Sequence, residues 1–217
     1  MSRRIAAEFL GTLLLLVAVV GSGIMGERLA GGNMAVALLA NALATGAALV
    51  VLITLFGPLS GAHFNPCVSL YAALRGEMAW GTCGLYAATQ FIAAVCGVWL
   101  THTMFAMPML EISIHLRDGP AQWLAEVLAT FGLLLTIAGA ARSKPDSTPM
   151  LVGLYITGAY WFTASTSFAN PAVTVARMLS DSFSGIAPHS VSGFIAAQLV
   201  GTLLAAHLLP WLFNSRN

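Results

Sequence analysis

Six long apolar stretches constrain this chain more than any other feature of its sequence. Each holds about 20 residues, the length that an α-helix needs to cross a hydrocarbon core of about 30 Å. Of the 217 residues, 58% are hydrophobic and only 8% are charged, whereas a soluble domain carries about a quarter charged residues. The sequence therefore predicts an integral membrane protein with spans near residues 5–25, 34–56, 80–104, 121–141, 150–168 and 189–213.

The basic residues between the spans predict the orientation of the chain in the membrane, because short cytoplasmic loops are enriched in Lys and Arg. A cytoplasmic N-terminus leaves six of these residues inside and three outside, which favours both termini in the cytoplasm. The inner set is Arg3, Arg4, Arg75, Arg142, Lys144 and Arg216, and the outer set is Arg28, Arg117 and Arg177.

Two shorter segments, residues 66–75 and 171–179, have helical character but hold only about ten residues, which gives about 15 Å of helix. Asn65-Pro66 begins the first and Asn170-Pro171 begins the second. Asn is a favoured N-cap, and Pro suits the first helical position because its missing N–H is not needed there. The sequence therefore predicts two half-helices that start inside the membrane.

The two halves of the chain resemble each other. "AEFLGT" at residues 7–12 matches "AEVLAT" at 125–130, and "ATQFIAA" around Gln90 matches "AAQLVGT" around Gln198. Each half holds three spans and one half-helix, and an odd number of spans inverts the second copy. We predict one domain, residues 1–217, with a first repeat of about 1–110 and a second of about 118–217. The half-helices are expected to meet at the membrane midplane.

The doubled motif, a Glu opening each first span, the Gln pair and "SGAHFNP" resemble the aquaporin and aquaglyceroporin (major intrinsic protein) family. The resemblance implies an all-α membrane protein, an aquaporin-like inverted repeat of six transmembrane helices plus two half-helices. It also implies a homotetramer in which each subunit has its own pore for small uncharged solutes. The implied midplane residues are Asn65, Pro66, Cys67, Asn170, Pro171 and Ala172.

Several polar residues within the membrane are implied to support the pore loops. A carboxylate inside a span suggests an ion or proton relay by default, but the resemblance favours structural acceptors for the irregular backbone. His63 is expected either to line the pore or to brace its loop. The support residues are Glu8, Glu126, His63, Gln90 and Gln198.

The selectivity filter departs from the family pattern. The family has an Arg three residues after the second Asn, and this position is Val173 here. Spacing transfers the other filter positions to Thr45, Gly158 and Ser167. Arg177 lies one helical turn further on. It is expected to point out of the site, and the alternative is that its longer reach partly substitutes for the family Arg. The resemblance therefore implies a wider, less polar filter, which Phe168 narrows only if its ring swings inward.

The phrase "NPAVTVARMLSDSFSGIAP" and the Asn-Pro-Cys motif resemble bacterial aquaglyceroporins encoded with arsenic-resistance genes. That resemblance implies passage of arsenous acid and related metalloid acids, also glycerol and water, across the bacterial inner membrane. A general water and glycerol facilitator, an ion-coupled secondary transporter and a non-conducting membrane protein remain alternatives. We expect membrane lipid as the surroundings, no nucleic-acid partner, no cofactor, no metal and no enzymatic activity, since no catalytic or phosphate-binding motif is present.

Overall fold

The computed structural model describes residues 2–213, so Arg216 of the orientation prediction lies outside the described residues. The helices are α1 Arg3–Leu29, α2 Met34–Ser60, α3 Pro66–Leu74, α4 Trp80–Met104, α5 Pro120–Ser143, α6 Thr148–Phe162, α7 Pro171–Arg177 and α8 Pro188–Phe213. A 3₁₀ turn at Pro145–Ser147 precedes α6. Five of these helices, α1, α2, α4, α5 and α8, are long and apolar enough to cross a membrane.

The fifth predicted span is wrong at its C-terminal end. We predicted a helix to residue 168, but α6 has 15 residues and ends at Phe162. The chain beyond it is non-helical up to Asn170, and Thr166, Ser167 and Ala169 all have positive φ. Residues 163–169 include four Ser or Thr residues, and irregular backbone is tolerated at membrane depth when it is buried in protein or lines a cavity.

The second half of the fold repeats the helix pairings of the first. Helix α1 packs against α2 and α4, and α5 packs against α6 and α8 in the same way. Both half-helices, α3 and α7, lie against α4 and α8, and they also contact each other. The long helices of the two halves meet where α2 packs against α6. The half-helices are thus enclosed by helices from both halves.

Glycines bring α2 and α6 into close contact. A Cβ atom on Gly46 would lie 2.8 Å from the carbonyl oxygen of Gly153, and one on Gly153 would lie 2.6 Å from that of Gly46. Small residues at helix interfaces allow this approach in membrane proteins, where packing rather than the hydrophobic effect joins the helices. The glycine pair therefore holds together the two walls from which Thr45 and Tyr160 project.

Candidate functional site

Each half-helix begins at the asparagine of its motif. The Asn65 side-chain oxygen accepts a hydrogen bond from the backbone N–H of Cys67 at 2.9 Å. Asn170 caps α7 in the same way, accepting from Ala172 at 3.0 Å and from Val173 at 3.3 Å. In both helices the proline of the motif takes the first position. These caps orient both asparagine amides.

The two motifs are joined by a reciprocal pair of hydrogen bonds. The Nδ2 of Asn65 donates to the carbonyl oxygen of Ala169 at 2.7 Å, and the Nδ2 of Asn170 donates to that of Phe64 at 2.8 Å. Both asparagines are buried. The structure therefore places the starts of the two half-helices side by side, and each asparagine is held by the loop of the other repeat.

Glu8 organises the loop before α3. Its carboxylate accepts hydrogen bonds from the backbone N–H groups of His63 at 2.9 Å and Phe64 at 2.8 Å. It also accepts from the Ser60 hydroxyl at 2.7 Å and from the Gln90 amide at 2.9 Å. The Gln90 amide also donates to the hydroxyl of Ser69 in α3 at 3.2 Å. A fully buried carboxylate thus satisfies backbone donors that no helix or strand would satisfy.

Glu126 organises the loop before α7 in the same manner. It accepts from the backbone N–H groups of Phe168 and Ala169, both at 2.9 Å, and from the Gln198 amide at 2.6 Å. The Ser165 hydroxyl is a fourth partner. Gln198 also donates to a hydroxyl of α7, that of Thr174, at 2.9 Å.

Both loops carry the same backbone strain. Residues 61, 62 and 64 have positive φ, and so do residues 166, 167 and 169 at the matching places of the second loop. Five of these six are not glycine, and non-glycine residues in left-handed conformations are costly and persist only where surrounding contacts fix them. The two carboxylates supply such contacts, so the loops have a defined shape.

A cavity of about 180 Å³ runs past both asparagines. Of the four filter positions predicted from spacing, Thr45, Ser167 and Val173 line it. His63 also lines it, and its Nδ1 lies 3.0 Å from the Ser69 hydroxyl, so this residue both faces the cavity and is anchored in its loop. Cys67 is buried and does not line the cavity.

Gly158 is not among the residues that line the cavity. The face of α6 that lines it contains Thr148, Val152, Ile156 and Tyr160, which recur every four residues along the helix. Gly158 lies on another face, and a Cβ atom there would contact Phe162 instead. The residue of α6 that lines the cavity near Thr45 and that spacing did not predict is Tyr160, whose hydroxyl lies 3.3 Å from that of Thr45. The four-residue period of the α6 sequence was the signal for it.

Arg177 corrects a second expectation. We expected its side chain to point out of the site, but Arg177 lines the cavity and its exposed fraction is only 1%. The guanidinium carbon lies 3.4 Å from the centroid of the Phe168 ring, and Nε donates to the carbonyl oxygen of Ser184. The negative face of the ring attracts the cation.

The described residues contain no group of three or more His, Cys, Asp or Glu side chains placed to hold a metal ion. The polar groups of the cavity wall are amides, hydroxyls, His63, Arg177 and the exposed Glu77. A small polar solute in this cavity would meet a few hydrogen-bonding groups on a largely apolar wall.

The family model described as Major intrinsic protein matches residues 1–167. The chain belongs to this family. The predicted family is therefore confirmed, and the match ends shortly before the second Asn-Pro motif of this major intrinsic protein.

Among relatives, the chain is similar to the aquaglyceroporin AqpS of Rhizobium meliloti (strain 1021), with 54% identity over 99% of this chain and 91% of that one. It is 26% identical to a probable glycerol uptake facilitator protein of Thermotoga maritima, over 95% of this chain and 98% of that protein. The X-ray structure of the aquaglyceroporin from Plasmodium falciparum matches with a TM-score of 0.73 and 21% identity, over 95% of this chain and 94% of the other. The predicted fold class is confirmed.

Proposed function

We propose that this major intrinsic protein is a passive channel for small uncharged solutes and that arsenous acid and related metalloid acids are its specialised substrates. Glycerol and water also pass. The observation that carries the proposal is the cavity that joins Asn65 and Asn170 and continues past Val173, the position where the resemblance implies an arginine. The relatives named as aquaglyceroporin and glycerol facilitator support the general class of solute.

The asparagines supply hydrogen-bond donors at the midplane. A side-chain amide has two N–H donors and one oxygen. In Asn65 and Asn170 the oxygen caps a half-helix and one N–H bonds the opposite loop, which leaves one N–H of each amide for a solute in the cavity. A solute that passes between them must therefore present acceptor oxygens, as water, polyols and arsenous acid do.

The α7 end of the cavity, defined as the part between the asparagines and Arg177, has hydroxyls on a wall that is otherwise apolar up to Arg177. Thr45, Tyr160 and Ser167 provide them, and the buried Ser167 hydroxyl has no hydrogen-bond partner within residues 2–213. Val173, in contrast, presents an apolar surface with neither a charge nor a hydrogen-bond donor. Such a wall suits a compact molecule with several hydroxyl groups, which gains hydrogen bonds on one side while its bulk meets aliphatic groups.

Removal of the family arginine widens this part of the pore and takes away a donor fork and a positive charge. Arsenous acid carries three hydroxyl groups and is largely uncharged at neutral pH, so it resembles a small polyol. We propose that it enters from the α7 end, which faces the outside of the bacterial inner membrane. Both termini are then cytoplasmic, and four subunits form a tetramer in which each has its own pore.

Glu8 and Glu126 serve the architecture of such a channel. Each accepts four hydrogen bonds, two of them from backbone N–H groups of a pore loop. A carboxylate that titrated during transport would release these donors and disturb the loop. Passive permeation therefore fits the site better than ion-coupled transport, and it requires no catalytic group.

The decisive experiment measures stopped-flow permeability and arsenite uptake in proteoliposomes with the unaltered chain, Val173→Arg and Val173→Met. We expect Val173→Arg to lower arsenous acid uptake about tenfold or more, a change of about 1.4 kcal/mol in the barrier, and to lower water permeability much less. Val173→Met adds length without charge and separates bulk from electrostatics.

Three outcomes would contradict parts of the proposal. If the unaltered chain conducts water and glycerol but no arsenous acid, the chain is a general facilitator. Arsenous acid uptake that Val173→Arg leaves unchanged means that another constriction sets selectivity. Uptake that needs a proton or sodium gradient contradicts the passive mechanism.

A further inference from the structure

The α7 end of the cavity holds a charge that the filter positions do not supply. Arg177 is the bulkiest of the fully buried side chains within residues 2–213, and it lines the cavity together with Ser167, Phe168 and Val173. A charged side chain inside a membrane-spanning fold is costly and is by default a sign of function. Its position therefore needs a reason beyond packing.

A second arginine reaches the same aromatic ring from the connection between α4 and α5. The guanidinium carbon of Arg117 lies 5.2 Å from the Phe168 centroid, and that of Arg177 lies 3.4 Å from it. Both distances are within the range of a cation–π contact. Phe168 is itself fixed by its backbone bond to Glu126 and by an edge-to-face contact with Phe194 at 5.1 Å. One rigid ring therefore positions two cations.

Backbone carbonyls complete the support of both arginines. Arg117 donates to the carbonyl oxygens of Gly185 at 2.8 Å and Phe183 at 3.3 Å and to the Thr166 hydroxyl at 3.4 Å. Arg177 donates to the backbone carbonyl oxygen of Ser184. Within residues 2–213 none of these partners is a carboxylate. The positive charge is therefore solvated by dipoles but not neutralised by an ion pair.

The acidic groups nearby do not cancel this charge. Glu126 acts on both arginines electrostatically, but its four hydrogen bonds hold the loop before α7, and no contact joins it to either guanidinium. Burial lowers the pKa of Arg117, yet a guanidinium stays protonated at neutral pH because its ordinary pKa lies far above neutrality.

We infer that Arg177, positioned with Arg117 on the Phe168 ring, is the fixed charge that excludes cations at the α7 end of this pore. The inference rests on the proposed channel function. The charge lies one helical turn along α7 from Val173, so it is separated from the filter position. A neutral solute then meets a wide filter at Val173 and a cation-repelling wall beside it. An arginine at position 173 would set both the width and the charge of the filter. Here Val173 sets the width and Arg177 supplies the charge.

The test compares potassium and glycerol permeability in proteoliposomes that contain the full chain. Potassium leak is followed with a potential-sensitive dye after a potassium gradient is imposed, and glycerol permeability is followed by light scattering. We expect Arg177→Met to raise the ratio of potassium to glycerol permeability about tenfold, which corresponds to about 1.4 kcal/mol. The repulsion between a potassium ion and a fixed unit charge a few ångströms away exceeds this energy at an effective dielectric constant of about 20. Arg177→Lys keeps the charge and should keep the ratio near that of the unaltered chain.

Arg28→Met is the matched control. Arg28 also lies over an aromatic ring, 5.3 Å from the Phe105 centroid, but it is exposed and does not line the cavity. We expect no change in the ratio for this variant. Arg117→Met should raise the ratio less than Arg177→Met, because Arg117 approaches the ring from the loop and does not itself line the cavity.

Two results would overturn the inference. One is a ratio that Arg177→Met leaves unchanged in a monodisperse, folded protein. The other is an equal rise with Arg177→Lys, which would assign Arg177 to loop structure alone. If Arg177→Met does not fold, the same decision falls to Arg117→Met, where an unchanged ratio counts against the inference. An unaltered chain that conducts no glycerol contradicts the proposed function, whereas a potassium leak specific to Arg177→Met would still support the charge barrier.

Discussion

The loop before α3 and the loop before α7 share one framework and differ in the side chains that the framework carries. In both, a serine five residues before the asparagine bonds the buried glutamate, and positive φ values fall at the same places. The residue two before the asparagine is His63 in the first loop and Phe168 in the second. The residue seven after it is Ala72 in α3 and Arg177 in α7.

This difference separates architecture from selectivity. The parts common to both loops build a break in the membrane-spanning helices, and the parts that differ decide what the two ends of the cavity present. At the α3 end a histidine bonds Ser69, and at the α7 end an aromatic ring holds two arginines. Val68 and Val173, three residues after each asparagine, are the same residue and both line the cavity, so the filter position itself does not distinguish the two ends.

The largest expected effect tests the shared framework. Glu8→Ala and Glu126→Ala should each lower the free energy of unfolding by more than about 3 kcal/mol, because several buried donors lose their acceptor at once. Thermal unfolding in detergent, followed by the monodisperse fraction, measures the loss. Glu77→Ala removes an exposed carboxylate as a control and should change little. A large loss for one glutamate and a small one for the other would show that the two loops are not equally supported.

A smaller effect tests how the two loops pack on their supporting helices. A Cβ atom on Gly11 would lie only 1.9 Å from the Phe64 ring, whereas the second repeat pairs Ala129 with Ala169 at the corresponding places. Gly11→Ala should cost about 1–3 kcal/mol through overpacking. In Gly11→Ala with Phe64→Ala the clash is absent, so the two changes together should cost less than their sum by about 1 kcal/mol or more.

Melting temperatures of the four chains of this cycle, measured in one detergent, give the coupling. If the losses in stability of the two single variants simply add in the double variant, the Phe64 ring moves aside without cost. The difference between the Gly11–Phe64 pair and the Ala129–Ala169 pair would then not affect stability.

The smallest effect makes the two motifs identical. Cys67→Ala turns Asn-Pro-Cys into Asn-Pro-Ala, as in the second repeat, and removes one buried sulfur that contacts Thr202. We expect a change in the free energy of unfolding below about 1.5 kcal/mol, because a buried cysteine behaves as a small apolar residue. The melting temperature measures it, with Cys83→Ala as a buried comparison outside the motifs. A loss above about 3 kcal/mol would give Cys67 a specific role in seating α3.

Sequence patterns predicted most of the fold because its main elements depend on local chemistry. Asn65-Pro66 and Asn170-Pro171 mark both half-helix starts through capping and proline geometry alone, and the long apolar helices follow from length and composition. The end of α6 at Phe162 was missed because the break after it depends on Glu126, which is distant in the chain. A local signal was also present, because residues 163–167 contain four Ser or Thr residues, and clusters of these residues between periodic segments are typical of loops.

The filter was only partly predictable for a similar reason. Thr45, Ser167 and Val173, predicted from their distance to the asparagines, line the cavity, and their role as a filter stays a prediction. Gly158 was placed on the wrong face of α6, where the four-residue period selects Tyr160. The position of Arg177 depends on the Phe168 ring and on the carbonyl of Ser184, and spacing along α7 does not reveal these contacts.

The reciprocal bonds between Asn65 and Ala169 and between Asn170 and Phe64 also have a consequence for biosynthesis. They join residues 104 and 106 positions apart, so the first motif is synthesised long before its partner exists. At a synthesis rate of about 5–20 residues per second, roughly 5–20 s pass between the synthesis of the first motif and that of the second. During this time the Asn65 amide and the Phe64 carbonyl lack their partners from the second repeat. The first repeat therefore depends on the translocation machinery, or on water retained around it, until the second repeat arrives to close the pore.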